Sequence, residues 1–214
     1  MIDSNGVLQI FSRDPVPGKT KTRLIPLLGE QGAADLHRIL LSEIIKSANE
    51  SIFSNVELWC TSDPAESILH EYTKYNQFKL IKQVGNNLGE RMLYAARQAL
   101  NQYKFAVIIG SDCPLLSSQM LDMAYQTLEK GCDAVLGPTD DGGYYLLGMR
   151  NIDNAIFKNI PWSESNVAEI TRGKMQNLGW NYVELDCLWD IDRPEDIKKL
   201  SRVDIFNKFT FDTT

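Results

Sequence analysis

The stretch Phe105-Ala106-Val107-Ile108-Ile109-Gly110-Ser111-Asp112-Cys113-Pro114 is the most informative segment of the chain. Its first five residues are all apolar, which is typical of a strand that is buried on both faces of a parallel sheet. Ligands of open α/β sheets bind beyond the carboxyl ends of the strands. Asp112 is the first charged residue after this strand, so the pattern places it at the ligand-binding edge of the sheet.

A carboxylate at that edge is a candidate metal ligand. Carboxylate oxygens suit Mg²⁺ or Mn²⁺, and substrate phosphates and water complete the coordination of Mg²⁺. The alternative role for Asp112 is to cap the helix that follows. Ser117 and Ser118 lie closer to the start of that helix and are good cap residues, so the metal role is favoured.

Helix-like and strand-like segments alternate along the chain. The periodicity predicts strands over 7–11, 56–60, 78–82, 105–110, 133–136, 144–149 and 182–185, and helices over 31–49, 64–75, 88–102, 118–129, 166–177 and 194–200. This alternation indicates an α/β fold in which helices flank a mostly parallel, Rossmann-like sheet. The length of 214 residues fits a single domain over 1–214.

The composition narrows the classes of partner. The formal net charge is −6, which argues against a nucleic-acid or anionic-membrane surface and favours small-molecule partners. The four cysteines show no C-x-x-C spacing, which gives no sign of a zinc site or redox pair. Neither a signal peptide nor an apolar run of membrane-spanning length is present, so we expect a cytoplasmic protein. The composition does not set the oligomeric state.

A basic loop follows the first predicted strand. It contains Gly18-Lys19-Thr20, which is similar to the end of a P-loop. A P-loop requires a glycine where Arg13 stands, however, and Pro15 and Pro17 lack the N–H groups that cradle a phosphate. The loop is therefore not a P-loop.

Four basic side chains of this loop are candidates to bind phosphate. If residues 19–23 are extended, Lys19, Lys21 and Arg23 project from one side, and Arg13 lies at the same edge of the sheet. Arginine binds phosphate oxygens in a fork, whereas lysine acts as a point charge. A solvated loop is the alternative. Within an acidic chain and at a ligand-side position, phosphate binding is favoured, and we expect Lys21, Arg23 and Asp112 to act in catalysis.

The segment Asp140-Asp141-Gly142-Gly143-Tyr144-Tyr145 predicts a loop that lines a ligand. Its two glycines allow positive φ angles and a close approach of the backbone, and Tyr144 or Tyr145 could stack on a base or a sugar. Asp141 is expected to contact the acceptor or the metal. A plain β-turn that leads into a strand is the alternative.

Two further acids lie near the end of the chain. Asp190 and Asp192 project from the same side of an extended segment, which is suited to a second metal contact. Asp192 could equally be the N-cap of the helix that begins at Pro194, whereas Asp190 has no such role.

Arg91 lies in the first turns of a predicted helix. It could bind an anion at the helix N-terminus or form a surface ion pair. Trp162 could close the pocket, but packing is the favoured role. His37 and His70 fall in predicted helices and are assigned no chemistry.

Four motifs appear in an order that resembles a known family. They are Phe11–Leu24, Gly110–Leu115, Gly137–Gly148 and Asp190–Asp196. The chain is similar to the glycosyltransferase-like family formerly called DUF2064, which is related to 2-phospholactate guanylyltransferase and the molybdenum cofactor nucleotidyltransferases. The resemblance implies the nucleotide-diphosphosugar transferase (GT-A type) fold, with a divalent metal between carboxylate and phosphates.

Three functions are compatible with these motifs. The first is a metal-dependent transferase that binds a nucleoside triphosphate and moves a nucleotidyl group to a small acceptor, with release of pyrophosphate. The second is a glycosyltransferase that uses a nucleotide sugar. The third is a nucleotide-binding protein without catalysis. The nature of the released product distinguishes the first two.

Overall fold

The computed structural model describes residues 5–76, 78–162 and 164–200. Within them, one sheet has seven strands: β1 (Gly6–Phe11), β2 (Val56–Cys60), β3 (Lys79–Lys82), β4 (Phe105–Ile109), β5 (Ala134–Pro138), β6 (Tyr144–Met149) and β7 (Tyr182–Glu184). Their spatial order is β3-β2-β1-β4-β6-β5-β7. Strand β6 runs antiparallel to β4 and β5, and the other pairs are parallel.

The helices cover both faces of this sheet. They are α1 (Ile25–Glu50), α2 (His70–Asn76), α3 (Leu88–Leu100), α4 (Ser118–Glu129), α5 (Val167–Asn177) and α6 (Ile197–Leu200). Helices α1 and α4 pack into the apolar core on one face, and α3 and α5 into the core on the other. All five residues of β4 are buried, as the apolar run predicts. The prediction of a mostly parallel sheet flanked by helices is confirmed.

Two helices differ from the sequence pattern. Residues 64–75 were expected to form one helix, but a 3₁₀ turn (Pro64–Glu66) is separated from α2. The Asp14 carboxylate causes the break, because it accepts hydrogen bonds from the Ser67 hydroxyl and the Ile68 N–H. Helix α1 begins six residues before the predicted position 31, and Gly29 interrupts its first turn with a φ of 69°.

None of the helices in the described ranges combines the length and apolar character that crossing a membrane requires.

Candidate functional site

Three loops meet at the carboxyl edge of the parallel strands. The Ile191 N–H donates to the Asp112 carbonyl across 3.0 Å, which fixes the segment after β7 beside the end of β4. The Leu188 N–H donates to Pro138, and the Asp140 N–H donates to Leu188, so the same segment also follows the end of β5. The acids predicted from separate motifs are thereby brought to one edge.

Lys21 inserts its ammonium among these acids. Its Nζ lies 2.7 Å from Oδ1 of Asp112 and also donates to the Ile191 carbonyl. The Lys21 side chain is 4% exposed, whereas that of Asp112 is 43% exposed. Because Oδ1 of Asp112 is buried, Oδ2 is the oxygen that this carboxylate offers to a ligand.

The electrostatics keep Asp112 charged. Burial alone would raise its pKa, but the Lys21 ammonium and the His37 ring outweigh burial and hold the pKa well below its usual range. Asp112 does not cap α4, because the Ser117 hydroxyl accepts from the Met120 N–H in that role. The preference for a serine cap is confirmed.

The backbone of Lys21 is left-handed, with φ 47° and ψ 41°. This region costs a non-glycine residue roughly 1–2 kcal/mol, and such strain is common at functional sites. Thr22–Leu24 then forms a 3₁₀ turn. Residues 19–23 are therefore not extended, and the expected alignment of their basic side chains is wrong: Lys21 is buried, while Lys19 and Arg23 are exposed.

Asp190 lies close to several other carboxylates. Burial, followed by the charges of Asp141 and Asp112, raises its pKa to about 7, although Lys21 opposes the shift. Asp192 adds a smaller contribution in the same direction. This edge therefore has more negative charge than its buried lysine neutralises.

The donor set fits one divalent cation that also binds phosphate. No three His, Cys, Asp or Glu side chains within the described residues form a ready metal cage. Mg²⁺, however, usually takes one or two carboxylates and completes its shell with phosphate and water. Oδ2 of Asp112 and the crowded Asp190 carboxylate are the two groups that would supply such a pair.

Asp192 is not the cap of the last helix. Its carboxylate forms an ion pair with Arg23 instead. Asp196 performs the capping, because its Oδ2 accepts from the Asp192 N–H and the Arg193 N–H at 3.1 and 2.8 Å. The ion pair brings Arg23 to the acid cluster. It also occupies the carboxylate of Asp192, one of the two acids that the sequence predicts as metal contacts.

His37 is a site residue that the sequence analysis missed. It is buried, and its Nε2 donates to the Arg13 carbonyl across 3.0 Å. Its Nδ1 lies 3.7 Å from Oδ1 of Asp112. The available signal was helical spacing, since His37 precedes the buried Leu41 by one turn and must face the core with it. His37 thus joins the basic loop to Asp112, while the Arg13 side chain is exposed.

Arg91 faces the end of the sheet from the first turn of α3. Its Nε donates to the Gly85 carbonyl across 3.0 Å. No carboxylate in the described part of the chain lies within ion-pair distance of Arg91, so the surface ion pair is not formed. The Asn87 side chain caps the same helix by accepting from the Glu90 N–H.

The turn after β5 is tightly constrained. Oδ1 of Asp141 accepts from the Thr139 hydroxyl at 2.6 Å and from the Gly143 N–H at 2.9 Å. Gly142 has a φ of 90°, and a Cβ there would lie 1.8 Å from the Ser165 carbonyl oxygen, so the turn requires glycine.

Tyr144 packs inward instead of lining this loop. Its ring meets Trp162 edge to face at 6.4 Å, and its hydroxyl lies 3.9 Å from the Met92 sulfur. A Cβ on Gly89 would lie 2.6 Å from the Trp162 indole nitrogen, which shows how closely α3 packs on this aromatic pair. The packing role that was favoured for Trp162 is confirmed.

The fold and the cluster of opposite charges define a transferase of the nucleotide-diphospho-sugar transferase type. Residues 44–164 match the family model described as "Uncharacterized protein conserved in bacteria (DUF2064)". This match spans more than half of the chain, and the chain belongs to that family, as its four motifs predict.

Three known proteins are similar to this chain in sequence or in fold. The chain is 24% identical over 189 residues to a 2-phospho-L-lactate guanylyltransferase of Methanosphaera stadtmanae, covering 85% of this chain and 78% of the relative. A protein of Desulfovibrio desulfuricans G20 assigned as a nucleotide-diphospho-sugar transferase is 27% identical, with a TM-score of 0.84 and coverage of 97% and 92%. A CMP:2-keto-3-deoxy-manno-octonic acid synthetase solved with CTP shares the fold at 11% identity, with a TM-score of 0.59 and coverage of 94% and 98%.

Proposed function

We propose that this protein is a metal-dependent nucleotidyltransferase that binds a nucleoside triphosphate and transfers its nucleotidyl group to a small acceptor. The carrying observation is the buried Lys21 ammonium between Asp112 and the Ile191 carbonyl, at an edge where the exposed Arg23 side chain faces Asp192. Opposite charges arranged in this way can bind a triphosphate and a cation together.

Exposed basic side chains would stabilise the pyrophosphate leaving group. Arg13, Lys19 and Arg23 lie on the loop after β1 and would neutralise the charge of the departing pyrophosphate. Arg91, at the N-terminus of α3, provides a further anion-binding position. The acceptor oxygen forms a bond to the α-phosphorus and loses its proton to water, and the bond from that phosphorus to the α–β bridging oxygen breaks as pyrophosphate leaves.

Mg²⁺ or Mn²⁺ would be held by Asp112 and Asp190, and Asp192 would join them only when Arg23 releases it. Such an ion supplies charge neutralisation at the phosphates. The Lys21 ammonium lowers the pKa of Asp112 and so keeps this carboxylate ionised.

A glycosyltransferase that uses a nucleotide sugar is the second candidate, because the 27% identical structure is assigned as a nucleotide-diphospho-sugar transferase. A nucleotide-binding protein without turnover is the third. Nucleotidyl transfer releases pyrophosphate, glycosyl transfer releases a nucleoside diphosphate, and the third releases neither.

The testing experiment combines binding and product analysis. Nucleoside triphosphates and nucleotide sugars are screened by thermal shift with and without Mn²⁺, and the ligands that stabilise are incubated with acceptors. We expect triphosphates to stabilise only with Mn²⁺ and to release pyrophosphate. Asp112→Asn should abolish the Mn²⁺-dependent stabilisation.

Asp122→Asn is the matched control, because the carboxylate of Asp122 accepts the Ile52 N–H and its amide would still do so. Release of a nucleoside diphosphate from a nucleotide sugar would establish the glycosyltransferase instead. Unchanged triphosphate binding in a folded Asp112→Asn protein would refute the assignment of Asp112.

A further inference from the structure

A cavity of about 400 Å³ lies between the turn after β5, helix α5 and the segment after β7. It is lined by Thr139 and Gly142 of the turn after β5, by Arg172 of α5 and by Cys187 after β7. The same turn carries Asp141, whose charge acts on Asp190. The turn after β5 therefore contributes both to the lining of the cavity and to the negative charge around Asp190.

The basic group of this cavity is already neutralised. Arg172 donates from Nε and Nη2 to the two oxygens of Glu184, across 2.6 and 2.9 Å. A planar pair joined by two bonds is the strong form of this interaction, so the Glu184 carboxylate neutralises the guanidinium. The positive charge of Arg172 is thus compensated within the protein.

Glu169 adds an acidic group to the same lining. Its side chain is exposed and forms no ion pair within the described residues. The charges of Arg172 and Glu184 cancel, and the negative charge of Glu169 remains. The lining therefore has one uncompensated negative charge.

We propose that this cavity binds the acceptor substrate and that the acceptor is a neutral or cationic hydroxyl compound without a phosphate group. The inference rests on the proposed nucleotidyl transfer and names its second substrate. A phosphate in the cavity would face Glu169, and among the described lining residues the single cation, Arg172, is already paired with Glu184. Placing like charges side by side disfavours binding. The volume lies within the usual range for small-molecule sites. This acceptor differs from that of the guanylyltransferase relative, whose name specifies 2-phospho-L-lactate.

Cys187 allows the charge of the cavity to be measured without knowledge of the acceptor. Cys187 is exposed, whereas the other three cysteines are buried. Alkylation rates at Cys187 are measured with neutral iodoacetamide and anionic iodoacetate, and each is divided by its rate on free cysteine. We expect the normalised alkylation rate with iodoacetate to be lower than that with iodoacetamide by about threefold or more, because the negative local potential repels the anionic reagent.

Three variants test the source of that difference. Glu169→Gln and Glu184→Gln each leave the lining without net charge, because Arg172 then faces a single glutamate, so each variant should remove most of the difference. Glu43→Gln on α1 is the control and should leave the ratio unchanged. Equal normalised rates in the native protein would overturn the assigned charge.

The acceptor itself is tested by protection of Cys187. With a nucleoside triphosphate and Mn²⁺ bound, polyols, hexoses and amino alcohols are compared with 3-phosphoglycerate and 2-phospholactate. We expect only polyols, hexoses or amino alcohols to protect Cys187 from alkylation and to cause pyrophosphate release. Protection or turnover by the phosphorylated compounds, or no protection by any neutral compound, would overturn the proposal.

Prior alkylation separates this inference from the proposed function. Carbamidomethylated Cys187 should block pyrophosphate release and preserve Mn²⁺-triphosphate binding in the thermal-shift assay. Full turnover after alkylation would overturn the assignment of the cavity as the acceptor site. Absence of triphosphate binding in the unmodified protein would instead overturn the proposed nucleotidyl transfer.

Discussion

The Lys21 ammonium lies 2.7 Å from Oδ1 of Asp112, on the same carboxylate whose other oxygen, Oδ2, would hold a cation. Lys21 thereby acts as a tethered cation within the acid cluster. Replacing it removes a repulsive charge from the neighbourhood of an incoming metal ion and also removes an attractive charge for phosphate.

Lys21→Met should therefore change metal and nucleotide binding in opposite directions. We expect Mn²⁺ to bind about tenfold more tightly without nucleotide, and triphosphate affinity to fall by roughly 1.5–3 kcal/mol, the scale of hydrogen bonds to charged groups. Electron paramagnetic resonance of free Mn²⁺ measures the metal affinity, and calorimetry measures the triphosphate affinity. Lys19→Met, at an exposed position of the same loop, should leave Mn²⁺ affinity unchanged. Weaker Mn²⁺ binding in Lys21→Met would exclude this repulsion.

Asp190 gives the protein a predictable pH dependence. Its pKa is about 7 in the folded protein against an ordinary 3.8, so between these values the folded state holds a proton that the unfolded state has lost. This group therefore makes the free energy of unfolding fall as pH rises from about 4 to about 7, and adds no further change above. Asp190→Asn should flatten that decline in urea titrations across the range. An identical slope in both proteins would contradict the shifted pKa.

His37 should influence the nucleotide site through the loop it holds. His37→Ala removes the donor to the Arg13 carbonyl, and we expect a loss of about 1–3 kcal/mol in unfolding free energy with a raised KM for triphosphate. His37→Gln, which can donate again, should recover part of both losses. His70→Ala, at an exposed position, should change neither. A normal KM in a destabilised His37→Ala protein would limit His37 to a structural role.

Asp192 and Asp196 should separate function from stability. Asp196→Ala removes the acceptor of two backbone N–H groups, and we expect a cost of about 0.5–2 kcal/mol in unfolding free energy. Asp192→Ala removes an exposed ion pair with Arg23, so it should cost at most about 1 kcal/mol while altering triphosphate binding. The reverse order of stability, measured by urea unfolding, would restore Asp192 as the cap.

The turn at Gly142 should tolerate no side chain. Gly142→Ala combines a positive φ with a clash against the Ser165 carbonyl, and we expect a cost of more than about 2 kcal/mol. Gly29→Ala also has a positive φ but open space around its Cβ, so roughly 1–2 kcal/mol should result. Thermal unfolding of the two variants distinguishes the clash from the backbone strain.

The helices and strands could be predicted from the sequence because the periodicity of apolar residues reflects which side chains are buried. The pattern predicts α4, β2 and β6 with the bounds that the structure has, and places Asp112 at the ligand edge. The break before α2 was not accessible, because it depends on Asp14, a residue distant in the chain.

The details of the site required the three-dimensional structure for the same reason. Lys21 turns inward because of a left-handed backbone stabilised by Asp112 and Ile191, and an alternating pattern cannot reveal either partner. Asp192 has cap-like spacing, yet Arg23 engages its carboxylate and Asp196 binds the N–H groups. Long-range charge pairs, not local propensity, determine these side-chain positions.

The hydrogen bond from Ile191 to Asp112 also sets when the site can form during synthesis. The chain emerges from the ribosome with its amino end first, so β1, the basic loop and Asp112 are available long before residue 191. Until that last segment arrives, Lys21 lacks its carbonyl partner and the acid cluster lacks Asp190. A nascent chain that stops before residue 188 would therefore carry most of its sheet but neither the carbonyl partner of Lys21 nor Asp190.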